Sequence, residues 1–115
     1  MGSEAAVDLD HLARYTGGDR AIDAEILHLF DSQCMEMVVA LETLASEGGD
    51  AKRWRELTHT LKGAARGIGA FPLADAAAAA EPLGQANPSA LEAVQHLKAK
   101  AAAVHGFIEA FLAGA

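Results

Sequence analysis

The sequence predicts an all-α protein, an antiparallel up-and-down four-helix bundle with a short extra helix at its N-terminus. Three observations carry that prediction. Hydrophobic residues make up 51% of the 115 and aromatics only 5%, so the apolar content is mostly alanine, leucine and valine, which favours helices over strands. Glycine and proline fall in clusters, at Gly17-Gly18, Gly48-Gly49, Gly67 and Gly69 before Pro72, and Asn87-Pro88, and the stretches between them show no strand-like alternation. Within those stretches apolar residues recur at helical spacing. A chain of this length makes one domain over residues 1–115, with residues 1–7 loose, and buries roughly two-thirds of its unfolded surface in one core.

The first helix is short, from about Asp8 to Tyr15. The second runs from Asp19 or Arg20 to Ser46, with Ile22, Ile26, Leu29, Phe30, Met37, Leu41 and Leu44 as its stripe; Gln33 falls inside that stripe and needs a partner if buried. The third spans about Asp50 to Arg66, with Asp50 as N-cap and the following glycines as its stop. The fourth begins near Pro72, which suits a first helical position, and runs through the Ala76 to Ala80 tract until Pro82 kinks or ends it. The fifth opens on a capping-box pattern, Ser89 with Glu92, and carries Leu91, Val94, Leu97, Ala101, Val104, Ile108 and Leu112 on one side. Short loops between four such helices give antiparallel neighbours.

A formal net charge of -7 argues against nucleic acid and against an anionic membrane surface as partners. No segment has the run of apolar residues a membrane span needs, and a start of MGSEAAVDLD lacks the basic and apolar regions of a signal peptide, so a cytoplasmic location is expected. The single cysteine, Cys34, cannot form an internal disulfide, and no Cys/His spacing suits structural zinc.

The third helix carries the chemistry. On a helical wheel Trp54, Leu57, Leu61, Ala64 and Ile68 collect on one side and face the core. Arg55, Glu56, His59, Lys62, Gly63 and Arg66 collect on the other, so His59 points away from the bundle interior. Five of the chain's nine Lys and Arg (Lys52, Arg53, Arg55, Lys62, Arg66) lie in this stretch, a basic patch on an acidic protein. Lys62 and Gly63 follow His59 by three and four residues and flank it on the surface. An ammonium there balances an anion carried on the imidazole, and a glycine removes the side chain that would obstruct approach. Neutral imidazole is a nucleophile near pH 7 and its nitrogen can carry a phosphoryl group. Attack by Nε2 is favoured when Nδ1 donates its proton to a fixed acceptor. Glu81, brought to the height of His59 by the turn between the third and fourth helices, is a candidate acceptor; otherwise it is a rim carboxylate.

The run His59-Thr-Leu-Lys62-Gly63-Ala-Ala-Arg-Gly-Ile-Gly69-Ala resembles the HxLKG signature, with its trailing glycine, of the histidine-containing phosphotransfer (HPt) domains of multistep phosphorelays. Tyr15-Thr-Gly-Gly18-Asp19 followed by Ile26-Leu-His-Leu-Phe30 is similar to that family's lead-in to its second helix, and Asp50 through Leu57 to its approach to the histidine. The resemblance covers residues 8–85. It implies that His59 is phosphorylated, that Lys62 supports the phosphoryl charge and that Gly63 leaves room for a docking partner. In chemotaxis-kinase members a glutamate on the next helix accepts from the ring Nδ1, and Glu81 stands at the matching offset. Gln85 replaces the second basic residue of some members; it can touch the phosphoryl group without supplying charge. The implied partners are receiver domains of a hybrid histidine kinase and of a response regulator. The protein is then a monomeric covalent carrier, not an enzyme, without ATP binding or autokinase activity, needing no cofactor of its own, with Mg2+ held by the receiver.

Three rival readings arise from the same residues. Glu25-Ile-Leu-His28 and Glu56-Leu-Thr-His59 are both ExxH pairs, as in di-iron carboxylate bundles, but those sites need inward ligands, so no metal is expected. The dimerisation region of a histidine kinase differs in the residues after its histidine, and 115 residues do not hold a kinase catalytic domain. A plain helical adaptor would use an exposed apolar face, with His59 incidental. His105, on the fifth helix's apolar stripe, is expected in the core.

Overall fold

A computed structural model of the chain describes residues 5–84 and 88–114. The elements are α1 (Leu9–Thr16), α2 (Arg20–Glu47), α3 (Ala51–Ile68), α4 (Phe71–Ala80), a 3-10 turn (Glu81–Leu83) and α5 (Pro88–Leu112), and no strand occurs among the described residues. Helices α2, α3, α4 and α5 pack in a ring, each against the next and α5 back onto α2, while α1 lies against α2 and α3. At about 1.5 Å per residue, α2 spans the 42 Å long axis of the molecule.

Aspartates start the first three helices. Asp8 accepts from the His11 amide, Asp19 from those of Ala21 and Ile22, and Asp50 from those of Lys52 and Arg53, satisfying amides that have no partner inside their own helix. Asp50 thereby sets the start of the helix that bears His59. At the far end, Gly69 caps α3 with φ 84, and a Cβ there would lie 2.5 Å from the Asp8 carbonyl oxygen. Glycine is required at that position by both its conformation and its neighbour. The Asp8 amide donates to the Gly69 carbonyl at 2.8 Å, so the segment before α1 is tied to the end of α3. Val7, expected in a loose stretch over residues 1–7, is 2% exposed and part of the core.

The core joins Leu27 and Leu41 of α2, Trp54 and Leu61 of α3, Leu73 and the alanines of α4, and Leu97 and Ile108 of α5. Ala74, Ala76, Ala77 and Ala80 are all buried, and their small side chains let α4 sit close to α3 and α5.

The expected stripe of α2 is corrected. Its buried face is Asp23, Leu27, Phe30, Cys34, Val38, Leu41 and Ala45, whereas Ile22 and Leu29 are 42% and 58% exposed. Phe30 and Leu41 of the expected stripe are buried and Ile26, Met37 and Leu44 pack against the core; the helix carries apolar residues on more than one side, so spacing alone set the stripe's edge too far toward Ile22 and Leu29. Gln33 is exposed and needs no buried partner. The expected capping box of the last helix is also corrected: α5 begins at Pro88, which places Ser89 inside its first turn and not at the cap. Leu91 and Leu112, assigned to its apolar stripe, are each 43% exposed.

Candidate functional site

Helix α3 turns two faces outward and inward as its wheel requires. Trp54, Leu57, Leu61, Ala65 and Ile68 are buried, while Arg55, Glu56, His59, Gly63 and Arg66 are exposed. Lys62 is half-buried at the edge, and Thr58, which spacing did not single out, is fully buried. Its hydroxyl donates to the Trp54 carbonyl at 2.9 Å, so no polar group is stranded one residue from His59. Lys52, Arg53, Arg55 and Arg66 are exposed along the same helix.

The fourth helix stops where Pro82 removes an amide donor. Helix α4 ends at Ala80, the backbone tightens into the 3-10 turn over Glu81–Leu83, and Gly84 follows with φ 41. Glu81 is therefore the first residue of the turn, not a member of the helix proper. Its carboxylate bridges two residues of α3: Oε2 lies 3.3 Å from Nδ1 of His59, and Oε1 accepts from Nζ of Lys62 at 2.9 Å. The His59 side chain is 72% exposed, against 29% for Glu81 and 20% for Lys62. The ring thus stands out from the surface with one nitrogen engaged at its base and Nε2 as its other reactive atom.

The Lys62 hydrogen bond holds the Glu81 carboxyl below the usual carboxylate range, against the opposing effect of its partial burial, and His59 adds to the lowering. Glu81 is accordingly an anion at neutral pH and is placed to accept a hydrogen bond from Nδ1–H, the proton staying on the ring. Gly63, one turn beyond His59, would meet nothing within 4 Å if it bore a Cβ. The fold does not need glycine there; what its absent side chain leaves open is the surface beside the ring.

A groove of about 480 Å³ runs beside this face between α2 and α3, lined by Gln33, Glu36, Met37, Arg53, Glu56 and Leu57 among others. Glu56 also lies on the exposed His59 face, so groove and ring share one side of the molecule. Gln85 lies outside the described residues. The two ExxH pairs do not converge: Glu25, His28, Glu56 and His59 are all exposed, and among the described residues no three His, Cys, Asp or Glu side chains gather to hold a metal.

Two sites were missed in the sequence. His105 is not a core histidine: its side chain is 41% exposed, and Nδ1 lies 3.0 Å from both carboxylate oxygens of Asp31 on α2, with Nε2 3.4 Å from Glu109. The Asp31 hydrogen bond raises its pKa above the usual value, and a carboxylate faces each ring nitrogen, so this ring is no nucleophile. Trp54 was assigned only to the core, yet its indole Nε1 donates to the Ala80 carbonyl at 2.9 Å. Cys34, on the buried face of α2, has its thiol pushed up to about 11 by burial, aided by Asp31.

A family model described as Hpt domain matches residues 25–107, well over half of the chain. The match takes in His59, Lys62, Gly63 and Glu81. No curated protein and no solved structure matches the chain.

Proposed function

Because the chain belongs to the Hpt-domain family of phosphotransfer modules, we propose that His59 is its phosphoryl acceptor and that it carries phosphate between receiver-domain aspartates. One observation carries the assignment of the residue: the exposed His59 ring has its Nδ1 against an ionised carboxylate at 3.3 Å, which leaves Nε2 free to attack. In the loading step Nε2 attacks the phosphorus of an aspartyl phosphate on the receiver of a hybrid histidine kinase. The P–N bond forms in line as the P–O bond to the aspartyl carboxylate breaks, and that carboxylate leaves as the anion. The unloading step is the reverse, onto the receiver aspartate of a response regulator.

The proton stays on Nδ1, hydrogen-bonded to the Glu81 carboxylate, through both steps. The positive charge that builds on the ring as Nε2 acquires phosphorus lies beside this carboxylate, which stabilises it. Lys62 has three donors on one ammonium, so it reaches toward phosphoryl oxygens on Nε2 while anchored near Glu81. Arg55, Glu56 and Arg66 frame the approach, and Gly63 keeps it open. The groove between α2 and α3, with exposed Ile22 and Leu29 along α2, supplies the docking surface for a transient interface. Mg2+ enters with the receiver, and the carrier acts as a monomer in the cytoplasm, without ATP and without a cofactor of its own.

The test is transfer of label from phosphorylated receiver domains of the same organism to the wild type and to His59→Gln. The expected label is acid-labile, base-stable and absent from the variant, whose helical fold is retained. Labelling of His59→Gln at the wild-type level contradicts the assignment.

A further inference from the structure

Trp54 is 1% exposed on α3, its ring in the core and its indole N–H donating to the carbonyl of Ala80 at 2.9 Å. A buried indole N–H needs an acceptor, and here the acceptor's place in the chain has a consequence. Ala80 is the last residue of α4, and its carbonyl shares one planar peptide group with the amide of Glu81. The indole bond therefore holds the peptide from which the Glu81 side chain departs. Helix α4 holds the amide side of that peptide, the Glu81 N–H donating to the Ala77 carbonyl, while the carbonyl side belongs to the last α-helical residue, beyond which the chain turns 3-10, and takes the indole N–H. The exit from the turn passes the same ring: a Cβ on Gly84 would stand 3.9 Å from the indole Cδ1. One rigid helix thus presents both the imidazole that Glu81 contacts and, five residues earlier, the donor that holds the backbone of Glu81.

We propose that Trp54 is a positioning residue for phosphoryl transfer: through the Ala80 carbonyl it keeps the Glu81 carboxylate against Nδ1 of His59 and so sets which ring nitrogen bears the proton. The proposal rests on the reading of His59 as phosphoryl acceptor. With the proton on Nδ1 and hydrogen-bonded to Glu81, Nε2 retains the lone pair that forms the P–N bond. Losing the indole bond frees the carbonyl side of the Ala80–Glu81 peptide to tilt about its amide, the carboxylate shifts, and the tautomer with its proton on Nε2 gains population. That tautomer has no lone pair on the attacking atom.

Trp54 is the chain's one tryptophan, so biosynthetic replacement of tryptophan by 3-benzothienylalanine changes this site alone, putting sulfur where the N–H was in a ring of the same shape. Trp54→Phe is the second variant. Two quantities are read in each: the tautomer ratio of the His59 ring from its 15N shifts, and the rate of phosphorylation by phosphoramidate, whose P–N bond breaks to release ammonia as the new P–N bond forms. The expected result is a shift toward the Nε2-protonated tautomer and a rate lower by about two- to tenfold, the range a single neutral hydrogen bond carries. In a Glu81→Ala background the same replacement should cost nothing further. An unchanged tautomer ratio in the folded benzothienylalanine protein overturns the proposal, as does a rate loss that multiplies in full with that of Glu81→Ala. If wild-type His59 takes up no phosphoryl group, the function proposed above fails, and the tautomer ratio, which needs no phosphate, still decides whether Trp54 positions Glu81.

Discussion

At His59 the two ring nitrogens have different surroundings, and that difference comes from residues on either side of a helix junction. Glu81 serves His59 and Lys62 at once, at 3.3 and 2.9 Å, so removing either partner alters the other contact. Lys62→Ala should move the Glu81 carboxyl back up toward its ordinary range, because the Lys62 hydrogen bond is the largest cause of its lowering, and should slow phosphoryl transfer without unfolding the bundle. A 13C titration of Glu81 beside a transfer assay checks both; an unchanged titration would mean that the ammonium is not held there in solution. Gly63 separates fold from function. Gly63→Ala should stabilise the protein by about 0.5 to 1 kcal/mol, since the position is helical and a Cβ there meets nothing within 4 Å. Gly63→Gln should fold as well as the wild type yet bind and discharge receivers more weakly, measured by thermal unfolding and by transfer rate. Undiminished transfer would remove the close-approach role of this glycine.

Among the elements, α3 was the most legible from sequence, because its polar and apolar sides are cleanly divided and aspartate and glycine mark its ends. His59, Lys62 and Gly63 could be placed on its outer face for that reason. Helix α2 was not legible to the same degree: Ile22, Leu29, Met35 and Val39 are exposed apolar residues, and the expected stripe took in two of them beside Phe30 and Leu41, which are buried. The height of Glu81 could be anticipated from the short α3 to α4 connection, whereas the 3-10 turn that carries it and the Trp54 bond that holds it are tertiary facts with no periodic signal. The tie between α2 and α5 was equally hidden, since Asp31 and His105 are 74 residues apart. Its pH dependence has a definite sign. The Asp31 hydrogen bond raises the pKa of folded His105 above the ordinary 6.5, so the stability it contributes is complete below about pH 6.5 and is lost as pH rises through the raised value. The difference in melting temperature between wild type and His105→Gln should accordingly be largest near pH 6 and shrink toward alkaline pH; a difference that does not change with pH would show that the pair contributes nothing in solution.

Taken as a whole, the molecule is an acidic bundle that gathers five of its nine Lys and Arg residues on one helix, around one exposed histidine. Its net charge disfavours polyanions in general, and in the function proposed the basic helix admits a phosphorylated partner at one locality. In the function proposed, the bundle's part in the chemistry is to hold one imidazole in one tautomer at the surface, beside a groove, while the high-energy bond and the metal come with the receiver. Five histidines are present, and His28 and His96 are exposed as well, so exposure alone does not select His59. The direct measurement is 31P and 15N NMR of the uniformly 15N-labelled protein after treatment with phosphoramidate. The expected result is one phosphorus–nitrogen coupling, to Nε2 of His59, with the proton of that ring on Nδ1 and the other four histidines unmodified. Phosphorus on Nδ1 of His59, or spread over His28 and His96 at comparable rates, would contradict the account.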